Sequence, residues 1–298
     1  MNPPSGAQFP IAWGDQEATV VEVGGGLRTY TAAGEPVLEG YEVDEMASGG
    51  RGQLVLPWPN RVGDGRYTFQ GAELQLALTE PSRHNASHGL VRWTNWTAAA
   101  HEPDRVIMEL TLHPQPGYPF TLGLSVEYRL DVAGLSVATT ATNRGDRPCP
   151  YGAGAHPYVT VGSDLVDDAV LHVPAGAWLP ADDRGIPTGS ASVGGTPYDF
   201  RRPRPIGDLV LDTAFTDLVG AQAVLDGPRR ATVWWDDSYR WLMVFTGDTL
   251  DPARRRRSLA VEPMTCAPNA FVSGDGLRVL EPDESWTTTW GIAPGPGR

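Results

Sequence analysis

Turn-forming residues are spread along the whole chain, and they limit the length of any regular element. The 298 residues include 35 glycines and 27 prolines, 62 in all. Apolar residues at the helical spacing i, i+3, i+4, i+7 never persist for three turns without meeting one of them, which excludes a helical bundle. Turn signals recur about every 8–12 residues, as is typical of a β-sandwich or β-barrel. The sequence therefore predicts an all-β chain with few or no helices.

Several segments alternate apolar and polar residues with the period of two that strands require. In residues 121–130 every second side chain from Leu122 to Leu130 is apolar, and residues 135–143 alternate again after a turn. This pattern predicts an antiparallel meander with one buried face.

Three further expectations concern the second half of the chain and its organisation. Residues 231–235 and 239–245 flank Asp236-Asp237-Ser238 and are predicted to form a hairpin. Residues 175–208 are rich in Gly, Pro and Asp, and we expect loops over the sheet surface there. No repeat or linker divides the chain, so we predict a single domain over residues 1–298.

The charged residues are strongly unbalanced. The chain contains 23 arginines, no lysine and 36 acidic residues, which gives a net charge of -13. A net negative charge argues against a general nucleic-acid-binding protein, because such proteins present a basic surface. The absence of lysine excludes a lysine Schiff base and a P-loop. Two cysteines, Cys149 and Cys266, are too few for a disulfide framework or a multi-cysteine zinc site.

Composition also bears on where the chain works. Residues 1–15 lack the charged start and apolar block of a signal peptide, and no apolar run approaches the ~20 residues of a membrane-spanning helix. Ten tryptophans and 41% hydrophobic residues oppose global disorder. We therefore expect a soluble cytoplasmic protein without a membrane partner.

Four segments concentrate titratable residues in apolar or turn-like surroundings. The first contains Asn60 and Arg61 beside prolines; a rigid guanidinium there could bind hydroxyls or a carboxylate, although pinning a loop is its more ordinary role. The second contains His84 and His88 at the i, i+4 spacing of a helical metal pair. Gly89 disfavours a helix at this position, and the HExxH pattern of a helical zinc site is absent from the sequence. A hydrogen-bonded loop histidine is the simpler interpretation.

The third and fourth segments contain a histidine and a carboxylate. Small residues precede His156, and Pro157 favours an extended backbone that projects the imidazole into a cleft. An imidazole can both donate and accept a proton near neutral pH. Glu262 follows an apolar run, so we expect it at a strand end, where partial desolvation raises its pKa towards that of a general base. A structural histidine and an exposed glutamate are the competing interpretations.

The order of these motifs is more specific than any one of them. They are Pro59-Asn60-Arg61, His88-Gly89-Leu90, Tyr118-Pro119-Phe120, His156-Pro157-Tyr158, Val261-Glu262-Pro263 and Leu280-Glu281-Pro282. Together they resemble the aldose 1-epimerase (mutarotase) family over residues 52–292. The resemblance implies a large antiparallel β-sandwich of the galactose mutarotase type, with a small-molecule sugar bound in a cleft on one sheet face. It also implies that no metal or cofactor takes part.

The resemblance further implies roles for individual residues. Glu262 corresponds to the catalytic base and His156 to the general acid. The positions that correspond to sugar-binding residues are Arg61, His88 and Asp212, with Asn60 as a further hydrogen-bonding partner. Asp208 and Asp217 lie close to Asp212 in the sequence.

Two other functions fit parts of the sequence. A hexose-6-phosphate 1-epimerase would use the same acid–base pair with a cationic pocket, for which the arginines within 201–204 and 254–257 are candidates, although a charge run is usually solvated. A non-catalytic carbohydrate-binding β-sandwich would not need both His156 and Glu262. Either a Trp or a Tyr would stack on the sugar; Trp58 is the nearest candidate, with core packing as its more ordinary role.

Overall fold

The computed structural model describes residues 2–296, and its regular structure is almost entirely β-strand. In chain order the strands are β1 (Gln8–Trp13), β2 (Gln16–Val21), β3 (Leu27–Ala32), β4 (Glu35–Pro36), β5 (Arg61–Gly63), β6 (Arg66–Phe69), β7 (Ala72–Gln75), β8 (Asn85–Ser87), β9 (Thr97–Glu102), β10 (Arg105–Leu112), β11 (Leu122–Asp131), β12 (Gly134–Asn143), β13 (Cys149–Tyr151), β14 (Tyr158–Val159), β15 (Val170–His172), β16 (Ala175–Leu179), β17 (Ala191–Ser192), β18 (Arg204–Pro205), β19 (Asp212–Leu218), β20 (Gln222–Asp226), β21 (Arg229–Trp235), β22 (Trp241–Phe245), β23 (Leu259–Met264), β24 (Arg278–Leu280) and β25 (Ser285–Pro296). Within these residues the helical elements are 3₁₀ turns at Pro81–Arg83 and Val166–Asp168 and the four-residue helix α1 (Ala270–Ser273). The predicted all-β fold class is confirmed.

Two large antiparallel sheets dominate the described residues. The nine-stranded sheet has the order β18-β15-β20-β21-β25-β12-β11-β10-β9, and the six-stranded sheet has the order β14-β23-β22-β19-β16-β17. The smaller sheets are β1-β2-β3-β4, β5-β8, β6-β7 and β13-β24. The structure is thus a large antiparallel β-sandwich. A single domain over residues 1–298 stays a prediction.

The predicted meander lies at the centre of the nine-stranded sheet. β11 pairs with β12 from Leu122 opposite Asn143 to Asp131 opposite Gly134. The alternating apolar side chains of β11 are at most 2% exposed, because this face packs into the main hydrophobic core. The period-of-two pattern therefore located both strands and their buried face correctly.

The two faces of β23 point into different surroundings. Leu259 and Val261 pack into the main core. Because side chains alternate along a strand, Ala260, Glu262 and Met264 point to the opposite face, where Met264 belongs to a separate small apolar cluster. This opposite face of the six-stranded sheet forms the floor of a cleft.

The hairpin predicted from residues 231–235 and 239–245 is wrong. β21 lies between β20 and β25 in the nine-stranded sheet, whereas β22 lies between β19 and β23 in the six-stranded sheet. Trp235 and Tyr239, at the two ends of the connection, are both buried, and the Asp236 carboxylate accepts a hydrogen bond from a backbone N–H of β25. The connection therefore crosses between sheets. Alternation identifies a strand but not its partner, which explains the error.

Residues 175–208 contain three short strands as well as the expected loops. β16 and β17 complete one edge of the six-stranded sheet, and β18 is an edge of the nine-stranded sheet. Trp178 of β16 packs on Tyr198 with ring centroids 4.2 Å apart. Strands of two to five residues are too short to show alternation, so the Gly and Pro content of the segment concealed them.

Two observations bear on the expectations from composition. Within residues 2–296 no helix is long and apolar enough to cross a membrane. Cys149 and Cys266 are buried and unbonded to each other, so they contribute as small apolar side chains.

The run of arginines at 254–257 includes two that tie loops together. Arg254 pairs with Glu45 at 2.7 Å. Arg256 pairs with Asp167 at 2.8 Å and with Asp248 at 2.9 Å, and it donates to two carbonyl groups within residues 207–209. The guanidinium of Arg256 is thus surrounded by acceptors from three segments.

We expect Arg256→Ala to lower the free energy of unfolding by about 2–4 kcal/mol, because it leaves two carboxylates and two carbonyls without their donor. Arg255 is exposed, and Arg255→Ala should change stability by less than about 0.5 kcal/mol. Urea denaturation followed by tryptophan fluorescence measures both. Equal effects of the two substitutions would show that Arg256 has no structural role.

Candidate active site

A cleft of about 330 Å³ lies on the face of the six-stranded sheet that points away from the main core. β19, β22 and β23 supply its floor, and the segments around residues 47–50, 60 and 88 supply its walls. All six residues singled out from the sequence line it: Asn60, Arg61, His88, His156, Asp212 and Glu262.

Glu262 lies in the interior of β23 and not at a strand end, which corrects the expectation from the sequence. Its partner on β22 is Met243, and the pairing continues on to Met264. The apolar run before Glu262 located the strand but not its end, because the pairing with β22 includes Pro263 and Met264. The Glu262 side chain is 3% exposed. Burial raises its pKa well above the ordinary value, and the charge of Asp212 raises it further.

His156 is placed by the register between β14 and β23. Tyr158 is paired with Ala260, so two residues further along the antiparallel register His156 falls opposite Glu262. Their side chains meet there, with His156 Nε2 3.3 Å from Glu262 Oε1. Glu262 Oε2 has no hydrogen-bond partner among residues 2–296, so it is available to accept a hydrogen bond from a bound molecule.

The loop of residues 50–53 holds His156 from the side opposite β23. The His156 N–H donates to the Gln53 carbonyl at 3.1 Å, and the His156 carbonyl accepts from the Gly52 N–H at 3.0 Å. A Cβ atom on Gly50 would lie 2.5 Å from His156 Cδ2, so only glycine allows this approach. Burial, together with the smaller effect of the nearby Arg92 guanidinium, lowers the pKa of His156 to about 3.

A stack of side chains fixes the plane of the His156 imidazole. Its ring is parallel to the Tyr158 ring, with centroids 5.0 Å apart and planes 17° apart. The Arg51 guanidinium lies 4.4 Å from the Tyr158 centroid, and Arg51 is itself paired with Glu39 at 3.1 Å. The Tyr158 hydroxyl donates to the Gly49 carbonyl at 2.8 Å. Nothing in the sequence around Arg51 indicated this role, because its partners Glu39 and Tyr158 lie in other segments of the chain.

Asn60 and His88 are neighbours because β5 pairs with β8. The His88 N–H donates to the Asn60 carbonyl at 2.8 Å. Both residues have left-handed backbone, with φ of 55° and 59°, which turns their side chains out of the strand direction. The His88 ring centroid lies 5.3 Å from that of His156. Burial lowers the pKa of His88 well below its ordinary value, so its imidazole is neutral.

Arg61 both pins a loop and lines the cleft, so the two interpretations of its role are not exclusive. Its Nε and Nη2 donate to the two oxygens of the Glu80 carboxylate at 2.8 and 3.2 Å. Nη2 also lies 3.8 Å from Asp212, which Arg83 approaches to 3.7 Å. Glu80 orients the guanidinium, and nothing in its local sequence indicated that role.

Several cleft residues had no assigned role from the sequence. They include Glu80, Arg83, Arg92, Trp93, Met243 and Phe245. Trp93 is 51% exposed and presents an indole to the cleft. Trp58 is 2% exposed and packs against Phe271 with centroids 5.3 Å apart, so the core-packing interpretation is confirmed. Asp208 and Asp217 lie outside the cleft lining.

His84 does not share a site with His88. Its Nδ1 lies 2.7 Å from Asp64 at the surface, and of these two histidines only His88 lines the cleft. In the part of the chain that the structure describes, no group of three or more His, Cys, Asp or Glu is arranged to hold a metal ion. The i, i+4 spacing therefore does not produce a joint site.

We expect Glu262→Gln to raise the melting temperature, and to raise it more at pH 8 than at pH 4.5. The folded protein holds the proton of Glu262 more tightly than the unfolded chain, which ionises above pH 4.5, so the wild type loses stability as the pH rises from 4.5. Glutamine does not ionise. Calorimetry at both pH values should show a gain of about 2 °C or more at pH 8.

The matched control is Glu73→Gln, because Glu73 is exposed. It should leave the melting temperature unchanged at both pH values. A melting temperature of Glu262→Gln that is lower at pH 8 than that of the wild type would contradict the pKa shift.

Comparisons with known proteins agree with this architecture. The model of the aldose 1-epimerase family matches residues 12–293. The uncharacterized protein YihR of Escherichia coli (strain K12) is 36% identical over 282 residues, which cover 93% of this chain and 90% of that protein. The aldose 1-epimerase of the same organism is 31% identical over 214 residues, which cover 65% of this chain and 60% of that enzyme.

A solved structure shares the fold. The aldose epimerase homologue from C. elegans superimposes with a TM-score of 0.89 and 19% sequence identity, covering 98% of this chain and 99% of that one. The family match extends over nearly the whole chain. The chain therefore belongs to the aldose 1-epimerase family and is an isomerase.

Proposed function

We propose that this isomerase interconverts the α and β anomers of a hexose of the glucose or galactose type, with Glu262 as the base and His156 as the acid. The observation that carries the proposal is the 3.3 Å contact between His156 Nε2 and Glu262 Oε1, inside a cleft lined with hydrogen-bonding side chains. The 31% identity to a protein named aldose 1-epimerase supports it.

The reaction requires one group that accepts a proton and one that donates a proton at adjacent oxygens of the sugar. Glu262 takes the proton of the C1 hydroxyl while His156, as imidazolium, protonates the ring oxygen. The bond between C1 and the ring oxygen breaks, and its electron pair stays on the oxygen as C1 becomes an aldehyde carbon. After rotation about C1–C2 the C5 hydroxyl attacks the other face, and both protons return.

Acid–base catalysis is sufficient for this reaction. Each positioned acid or base contributes a factor of ~10²–10⁴, so the pair supplies about 10⁴–10⁸, equivalent to ~5–11 kcal/mol of the barrier. Ring opening already proceeds slowly in water without a catalyst, so the remaining barrier is modest.

Burial of the pair determines its protonation state. Burial disfavours the charged form of both groups, which raises the pKa of Glu262 and lowers the pKa of His156 to about 3. At neutral pH the pair therefore carries one proton. Transfer of this proton from Oε1 to Nε2 across 3.3 Å produces the carboxylate and imidazolium that the reaction needs.

The remaining cleft residues are suited to holding hydroxyl groups. Arg61 offers guanidinium N–H groups oriented by Glu80, and His88 offers a neutral imidazole. Asp212 supplies acceptor oxygens on the same sheet face. We assign Arg61, His88, Asp212 and Asn60 to sugar binding. We assign the stacking against the apolar face of the sugar to Trp93, whose exposed indole lines the cleft, and not to the buried Trp58.

The alternatives from the sequence have weaker support. Arg254 and Arg256 are engaged by carboxylates, Arg201 is paired with Asp199 at 2.7 Å, and neither arginine cluster lines the cleft. A phosphate site built on these clusters is therefore not favoured. A non-catalytic sugar-binding module would have no use for a buried acid–base pair.

We expect Glu262→Gln and His156→Asn each to lower kcat/KM at least about a hundredfold, because each removes one of the two proton-transferring groups. Polarimetry on freshly dissolved α-glucose and α-galactose measures the rate, and circular dichroism verifies folding. Trp58→Phe, a change in the core outside the cleft, serves as the control. Turnover near the wild-type rate in either cleft variant would refute the assignment.

We expect kcat/KM to be nearly independent of pH between 5 and 4. The pair takes up a second proton only near the lowered pKa of His156, about 3, so at pH 4 about 90% of the molecules keep one proton. With an ordinary Glu pKa of 4.5 as the acid limb, only about a quarter would do so. Polarimetric rates with the uncatalysed rate subtracted, on protein shown to be folded at pH 4, distinguish the two cases.

A further inference from the structure

Arg92 differs from the other arginines of the cleft in having no carboxylate partner among residues 2–296. Its Nη2 donates to the Ser87 carbonyl at 3.3 Å and its Nη1 to the Gln53 side-chain oxygen at 3.5 Å. Both are long bonds to neutral acceptors. Arg61, in contrast, donates two hydrogen bonds to Glu80. The positive charge of Arg92 is therefore left without a counter-charge.

The charges of the cleft do not balance. The ionic side chains other than the acid–base pair are the guanidiniums of Arg61, Arg83 and Arg92 and the carboxylates of Glu80 and Asp212. Burial disfavours the charged forms of Glu262 and of both cleft histidines, so these three residues add no net charge. One positive charge is in excess, although the whole chain carries -13.

Arg92 is anchored on the histidine side of the cleft. Ser87, its first acceptor, directly precedes His88. Gln53, its second acceptor, also receives the backbone hydrogen bond of His156 through its carbonyl at 3.1 Å. Arg92 influences the pKa of His156, whereas the charges that act on Glu262 are those of other residues. The guanidinium is thus held by the segments that carry His88 and hydrogen-bond to His156.

The chemistry of a pyranose places a particular carbon at this position. The ring oxygen is bonded to C1 and C5, and C6 is attached to C5. If Glu262 acts at the C1 hydroxyl and His156 at the ring oxygen, C5 lies on the other side of the ring oxygen from C1. The C6 substituent is then on the side of His156 that faces away from Glu262. That is the side of the cleft where Arg92 is anchored.

We propose that the substrate is a hexose whose C6 carries an oxyanion group, and that Arg92 binds this group. The inference rests on the proposed function, because the roles of His156 and Glu262 determine where C6 lies. A planar guanidinium can donate two hydrogen bonds to a carboxylate, sulfate or phosphate, and such charge-assisted bonds are stronger than those to a hydroxyl. Arg92 is then a specificity-determining residue.

The acidic surface does not prevent binding of an anion. Solvent-exposed charges are screened within about 8 Å at physiological salt, whereas a partly buried charge in direct contact is screened much less. The net charge of the chain therefore slows the approach of an anion, but the contact with Arg92 decides the affinity.

The test compares glucose with glucuronate, glucose 6-sulfate and glucose 6-phosphate as substrates. For the wild type we expect kcat/KM for at least one anionic sugar to exceed that for glucose by about tenfold or more. Arg92→Gln should reduce this preference about tenfold to a hundredfold. Arg255→Gln, which removes an exposed arginine outside the cleft, should leave the preference unchanged. The three anions distinguish a carboxylate, a sulfate and a phosphate as the bound group.

The outcomes separate the inference from the proposed function. A kcat/KM for glucose equal to or above that for all three anionic sugars would overturn the role of Arg92. It would leave the assignment as an aldose 1-epimerase intact. An Arg92→Gln variant that keeps the wild-type preference would do the same. Failure to turn over any of the four sugars, and α-galactose as well, would overturn the proposed function.

A binding measurement tests Arg92 without any turnover. Methyl glucosides cannot open their ring, so titration calorimetry with methyl glucoside and its C6-carboxylate, 6-sulfate and 6-phosphate forms reports affinity alone. We expect at least one anionic form to bind the wild type about tenfold more tightly than methyl glucoside, and Arg92→Gln to lose this difference. Equal affinities for all forms in the wild type would overturn the inference.

Discussion

The pairing of β14 with β23 is the constraint on which the catalytic cleft depends. Tyr158 opposite Ala260 fixes the antiparallel register, and this register places His156 directly opposite Glu262. A slip of one residue would turn one of the two side chains into the main core, because successive residues of a strand face opposite sides. The rest of the fold, from the nine-stranded sheet to the loop around Gly50, keeps this pair in place and out of water.

Desolvation makes the pair useful and also makes it costly. The same burial that shifts both pKa values removes a carboxyl group and an imidazole from water, which weakens the folded state. The surrounding residues offset this weakness with rigid contacts. Tyr158 and Arg51 fix the imidazole plane, and Glu80 fixes the orientation of Arg61. The substrate thus meets groups whose geometry is set before it binds.

The arginines show how misleading sequence clustering is. Arg254 and Arg256 belong to a conspicuous run of arginines in the sequence, yet both form ion pairs with carboxylates and connect loops. Arg92 stands alone in the sequence but lines the cleft without a counter-charge among the described residues. Ion pairing with distant segments decides which arginine is available to a ligand. Such pairing cannot be read from neighbouring residues in the chain.

The sequence by itself determined the all-β class and the central meander, because turn spacing and alternation are local properties. Its ordered motifs, through the family that they resemble, identified six residues that share the cleft. It failed where partners are distant: the expected hairpin after residue 235 became a sheet crossing, and Glu262 lies within a strand that continues through Pro263. Only the tertiary structure decided the contact of Glu262 with His156, the roles of Glu80 and Arg51, and the isolation of Arg92. Burial, pKa and charge balance depend on residues far apart in the chain, and folding alone brings those residues together.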